Sequence, residues 1–279
     1  MIPEKILDQA SELVQRGEKN MARELLRDGL LEFPDHPKIL NNLGCLLLES
    51  DQIDSAIQML RKAHEYEPDN VDIAGNYGYA LIHVGELAKA RAIFERILEH
   101  RPDNIEALNH LALIHTFDGR FLDAIEMFER ALKLAPRDVR LLNNYGATLR
   151  KTGRFGEAIK VLEKALKLAP QDVEVLTNLG STYLRLRKYP IAERYLEQAI
   201  ELAPDDALSY YYLGCRFREE YIEMRADKSA DPEYLKYAIT KARSNFTKYM
   251  DYTQDFVYED FVSYWLAELE EGMDKLVGQ

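Results

Sequence analysis

The chain is 279 residues long, 47% hydrophobic and 30% charged, a balance that excludes wholesale disorder. Its formal net charge of -12 argues against a surface built to neutralise phosphates, so nucleic acid is not an expected ligand. The opening segment MIPEKILDQASELVQRG has no apolar run of signal-peptide length, no stretch approaches the roughly 20 residues a membrane span needs, and Cys45 and Cys215 are too few for a disulfide framework or zinc cluster. The expectation is a cytoplasmic protein without membrane insertion, metal or cofactor.

Pro34, Pro68, Pro102, Pro136, Pro170 and Pro204 stand 34 residues apart, which marks one unit repeated in register. The expected repeats are 3–36, 37–70, 71–104, 105–138, 139–172 and 173–206. In the fourth, Leu108, Leu111 and Ala112 stripe a first helix, and Phe121, Ala124, Phe128 and Ala131 stripe a second. Each repeat therefore reads as a helical hairpin. Gly17, Gly85, Gly119 or Gly153 ends the first helix, with Asp51 and Arg187 replacing glycine in the second and sixth repeats. The proline closes the second helix, and Asn70, Asn104, Asp138, Asp172 or Asp206 caps the next. Small residues recur at Gly44, Gly78, Ala112, Gly146, Gly180 and Gly214 in first helices, and at Ala22, Ala56, Ala90, Ala124, Ala158 and Ala192 in second helices. A larger side chain at these places would push packed backbones apart.

These small, aromatic and proline places together resemble the tetratricopeptide repeat family from Pro3 to Asp206. The resemblance implies an all-α, right-handed superhelical solenoid whose first helices line a concave groove for a peptide or partner helix. Local departures are Ala74 and Gly75 in the third repeat, where larger residues usually sit, and His115 at a core place of the fourth.

After Ala207 the period breaks. Tyr210, Leu213, Gly214 and Phe217 still match a first helix and Ala242, Phe246 and Tyr249 a second, but the hairpin between them is longer than in earlier repeats. Equal lengthening of both helices moves the turn to about Ser229, within the turn-forming segment 227–232, and adds two turns, roughly 12 Å at 1.5 Å per residue. The segment 207–252 is thus expected to be a seventh, elongated hairpin, and 253–279 a capping helix, with Val257, Phe261, Trp265, Leu269 and Met273 as its apolar stripe. The tyrosine-rich composition of this region offers a second reading, an interface formed by Tyr221, Tyr234, Tyr237, Tyr258 and Trp265.

Groove-facing places carry Asn42, Asn76, Asn144 and Asn178 at one equivalent position, with Asp8, His110 and Tyr212 filling it elsewhere. An amide offers both donor and acceptor to the backbone of an extended peptide. The row is similar to the asparagine ladder of the O-GlcNAc transferase superhelix, and packing between helices is the alternative use of the same residues. Arg140, Arg150, Lys151, Arg185 and Arg218 form a basic cluster suited to carboxylates, or else pair with Glu174, Glu219 or solvent. The carboxylate clamp of the chaperone-binding members is not matched, because Leu7, Ser11, Asn41, Asn109 and Asn143 stand at its places. Tyr79 and Phe117, on first-helix faces with Cys45, Leu48 and Ile82, suit apolar anchors of a partner, and half-buried packing is the alternative use of the same strip.

None of the six histidines stands at the i, i+4 spacing of paired metal ligands, and no nucleophile elbow, phosphate loop or dinucleotide fingerprint occurs. The expectation is a non-enzymatic adaptor that binds a protein or peptide partner in the groove. The alternative is an assembly subunit that forms a homo-oligomer through its aromatic C-terminal hairpin and cap.

Overall fold

In the computed structural model, which describes residues 2–227, 230–253 and 258–277, every regular element among the described residues is a helix. The chain forms two compact units, Met1–Pro136 and Arg137–Gln279. The first holds α1 (Pro3–Gln15), α2 (Lys19–Glu32), α3 (Pro37–Leu48), α4 (Ile53–Tyr66), α5 (Val71–His83), α6 (Leu87–His100), α7 (Ile105–Phe117) and α8 (Phe121–Leu134). The second holds α9 (Val139–Lys151), α10 (Phe155–Leu168), α11 (Val173–Arg185), α12 (Tyr189–Leu202), α13 (Ala207–Arg225), α14 (Pro232–Tyr252) and α15 (Glu259–Val277).

Local signals set the helix ends. Each second helix up to α12 stops two residues before a proline of the 34-residue series. Asn70, Asn104, Asp138, Asp172 and Asp206 accept hydrogen bonds from backbone amides of the first turn that follows, satisfying donors that would otherwise have no partner. In α1 and α3 no side chain caps, and Pro3 or Pro37 at the first position removes one such donor instead. The turn inside each hairpin needs a left-handed residue, and Gly153 supplies it at φ 78°. Asp51 and Arg187 adopt the same conformation at φ 58° and 57°, at a cost of roughly 1 kcal/mol each relative to glycine.

Packing within each hairpin depends on close approach. The six second-helix alanines from Ala22 to Ala192 are fully buried. A Cβ on Gly180 would lie 2.5 Å from Leu196 Cγ, and one on Gly44 would lie 2.6 Å from Leu60 Cγ. Where the sequence reading expects an elongated hairpin, α13 has 19 residues and α14 has 21, against 13 and 14 in α11 and α12. The gain is six and seven residues rather than eight, because the connection also takes part of the insertion; the expected turn centre, Ser229, lies outside the described residues. Helix α15 buries Val262, Leu269 and Gly272, and Gly272 lies directly against Tyr221. Of the expected stripe, Leu269 is buried and Trp265 and Met273 pack against the core, whereas Phe261 is corrected. Residues four apart drift about 40° around a helix of 3.6 residues per turn, so Phe261 is left 60% exposed while Val262 takes the core place. Val257, the first residue of the expected stripe, lies outside the described residues.

His115 occupies a core place, 5% exposed, and its Nδ1 has no hydrogen-bond partner. Burial first, and the Arg120 charge second, hold its pKa below the ordinary 6.5.

Two predictions follow from this packing. Gly180→Val should destabilise the protein by about 2 kcal/mol through overpacking against Leu196, whereas Gly156→Ala, in open space on α10, should stabilise it by about 0.5–1 kcal/mol; denaturant titration decides, and equal effects would sink the packing account. The His115 pKa is lower folded than unfolded, so stability should fall as pH drops below 6.5 toward the folded value, where the unfolded chain binds more protons. His115→Leu should raise stability and flatten this slope. His64, lowered in the same direction, should retain part of it, and an unchanged slope would remove His115 as the cause.

Candidate functional site

The two units carry separate first-helix faces. In the first, Asn76 on α5 donates from Nδ2 to Asn41 Oδ1 on α3 at 2.9 Å, and Asn41 donates to Asn42 Oδ1 at 3.2 Å. In the second, Asn178 on α11 donates to Asn143 Oδ1 on α9 at 2.9 Å, and Asn143 donates to Glu174 at 3.2 Å. Of the ladder asparagines, Asn76 and Asn178 therefore link neighbouring first helices, which is the packing use left open by the sequence, whereas Asn42 accepts from Asn41 within its own helix. One hydrogen bond does not exhaust an amide with two donors and a carbonyl. Asn42, Asn76, Asn144 and Asn178 all remain half-exposed, so at Asn76 and Asn178 the interhelix bond orients a group that still meets solvent. The bonded pairs stand 35 residues apart, one off the repeat period; for that reason Asn41 and Asn143 were not identified as ladder partners from equivalent positions alone.

Aromatic residues gather beside the first row. Tyr79 is 42% exposed and Phe117 76%. Tyr79 meets His83 edge-on at 4.6 Å and His110 at 5.4 Å, while His110 stacks on Phe94 at 5.0 Å and approaches Glu106 to 3.9 Å. His110 is thus tied into an aromatic cluster instead of standing as a rung of the amide row. His83, which the sequence reading passed over, extends this surface.

The basic cluster of the second unit divides. Lys151 and Arg185 are exposed, Arg140 lies 4.0 Å from Asp138, and Arg150 is half-buried with its Nε unpartnered. Arg218 is not available to a ligand in the same way. Its guanidinium pairs with Glu268 of α15 at 2.5 Å and lies over the Trp265 ring at 4.7 Å. The partner is a residue 50 positions away, not Glu219.

Trp265 and Arg185 come together in a cavity of about 280 Å³, lined also by Tyr211, Tyr212, Cys215, Arg218 and Glu219. Burial raises the Glu219 pKa above its ordinary value, although Arg185 and Arg187 oppose this. Burial also pushes the Cys215 thiol up to about 12. Tyr211 stacks on Tyr258 at 4.4 Å and on Trp265 at 6.2 Å, so these rings join α13 to α15.

Among the remaining aromatic candidates, Tyr221 is 5% exposed beneath Gly272 and belongs to the core, which corrects its expected place on a surface. Tyr234 is half-buried and donates to Glu220 at 2.8 Å. Tyr237 is exposed, as are Phe261 and Tyr264. Among the described residues no cluster of His, Cys, Asp or Glu is arranged to hold a metal ion, and no helix is long and apolar enough to cross a membrane.

Comparison with known proteins agrees with this architecture. Family models described as tetratricopeptide repeat match residues 47–114, 105–138 and 137–205. No curated protein matches the chain. A solved tetratricopeptide repeat protein from Parabacteroides merdae superposes with a TM-score of 0.74 at 17% identity, covering 96% of this chain and 98% of that one. The Cut9 and Hcn1 hetero-tetramer of the APC/C gives 0.74 at 18% identity over 93% of this chain and 48% of that one, so this chain spans about half its length. PilW, a type IV pilus biogenesis factor, gives 0.66 at 20% identity over 72% of this chain and 93% of that one. At such identities the likeness is one of fold. With repeated hairpins, a matching period and family models along the array, the chain belongs to the tetratricopeptide repeat family.

Proposed function

We propose that this protein is a non-enzymatic adaptor that holds a linear segment of a partner protein along its first-helix faces. The observation that carries the reading is the pair of oriented amide rows, Asn76 bonded to Asn41 and Asn178 bonded to Asn143. Asn76 and Asn178 are each fixed by a neighbour yet half-exposed, so a peptide backbone meets donors and acceptors whose rotamer entropy is already spent. Exposed Tyr79 on α5 and Phe117 on α7 supply apolar contact, and Lys151 and Arg185 in the second unit favour acidic side chains. The two unpaired thiols, Cys45 and Cys215, support a cytoplasmic setting.

Peptides selected by display on the full chain should lose about tenfold in affinity on alanine substitution of Asn42, Asn76, Asn144 and Asn178. The thermal midpoint of the variant controls for the lost interhelix bonds. Unchanged affinity in a folded variant would sink the amide-row reading.

Self-association is the second reading, and exposed Tyr237, Phe261 and Tyr264 favour it. Light scattering over a concentration series separates the two. The adaptor reading expects a monomer throughout, whereas a dimer abolished by Phe261→Ser with Tyr264→Ser would assign this surface to a second copy.

A further inference from the structure

The repeats serve as each other's controls, and the third departs from the rest at one place. A cavity of about 310 Å³ opens in the first unit between α4, α5 and α6. Ala74 lines it where equivalent positions carry Leu40, Leu108, Leu142 and Leu176, all buried. Ala92 lines it where others carry Gln58, Glu126, Lys160 and Arg194. Both truncations withdraw side chains from the same space. Three further lining residues add polarity against the pattern: His64 replaces the leucine of Leu98, Leu132 and Leu166, and His100 and Arg101 stand where later repeats have leucine and alanine.

The walls divide chemically. Val71, Ala74, Ile93 and Ile97 give an apolar floor. Arg96 is paired with Asp69 at 2.6 Å, whereas Arg101 has no ion-pair partner among the described residues. Two guanidiniums against one carboxylate leave one positive charge uncompensated on the lining, in a chain that is otherwise strongly acidic. His64 is held against Tyr77 at 5.5 Å, and its Nδ1 is shut off from solvent without a partner, so Nε2 is the ring nitrogen left to meet a ligand. Burial and the Arg96 charge lower its pKa, against Glu65 and Asp69, which favours the neutral ring with one N–H to donate.

We propose that this cavity binds a small monocarboxylate with an apolar body, its carboxylate on Arg101 and His64 and its hydrocarbon part over Ala74, Ile93 and Ile97. A cavity of this volume is at the small end of ligand sites, and apolar walls with a few convergent polar groups are their usual make-up. A guanidinium fork fits a carboxylate geometrically, and a single uncompensated charge suits a monoanion better than a phosphate. Such chemistry belongs both to free aryl or branched-alkyl acids and to the C-terminal residue of a peptide. The inference does not depend on the first-helix faces.

Calorimetric titration of the full chain tests it with phenylacetate, phenylacetamide, and Gly-Gly-Phe carrying a free or an amidated C-terminus. Each acid should bind at least about tenfold tighter than its amide. Arg101→Gln should remove that preference, and Ala74→Leu, which restores the residue of the other repeats, should abolish binding. Tighter binding of the tripeptide acid assigns the site to a chain terminus, and tighter binding of phenylacetate assigns it to a free acid. If Ala74→Leu does not fold, Ala92→Glu fills the same space. No binding at millimolar concentration, equal binding of acid and amide, or binding unaffected by a folded filling variant overturns the proposal.

Discussion

The rest of the structure depends on how closely two helices can approach within each hairpin. Gly44, Gly146 and Gly180 leave room that Leu60, Leu162 and Leu196 of the paired helix fill, and a methyl group would already intrude. Fully buried alanines answer from the second helix. This contact fixes the hairpin, and the hairpin in turn determines which residues of the first helix remain uncovered. Between hairpins, Asn76 of α5 meets Asn41 of α3 and Asn178 of α11 meets Asn143 of α9, so the uncovered first-helix residues also tie one hairpin to the next. Because each repeat meets mainly its neighbours, a change in one is felt locally.

Much of the fold was legible because its determinants are local. A proline two residues beyond a helix end, a glycine at positive φ and an aspartate that caps the next helix each act within a few positions of sequence. Their strict recurrence made the repeat boundaries readable as far as Pro204. The candidate site was less legible, since its contacts join residues far apart. The Asn143 and Asn178 bond is offset by one from the repeat period, and the Arg218 and Glu268 pair spans an insertion that periodicity does not measure. Likewise Tyr221 and Trp265 look alike as surface candidates by composition, yet one is covered by Gly272 and the other stacks on Tyr211. Aromatic enrichment in the last hairpin therefore served to join α15 to α13 and α14 rather than to present a uniform contact patch.

The departures noticed at Ala74 and at His115 turned out differently. Both break the same apolar pattern, but at Ala74 the missing volume opens to solvent beside charged residues, whereas His115 fills its place and leaves only a nitrogen unpartnered. Size reduction made a cavity, and polarity without size reduction made a titratable core residue. A sequence shows that a repeat is irregular; which of these results follows depends on whether neighbouring residues, here Ala92 and His64, recede or close in.

The sulfur chemistry of the chain follows from burial. Burial pushes the Cys45 thiol up to about 11 and the Cys215 thiol to about 12, so almost none of either is thiolate near neutral pH. Since oxidants and alkylating agents react with the thiolate, Cys215 in particular is kept chemically quiet for as long as Tyr211 and Trp265 cover it. The aromatic joint at the C-terminal end thereby protects a thiol as well as holding a helix in place.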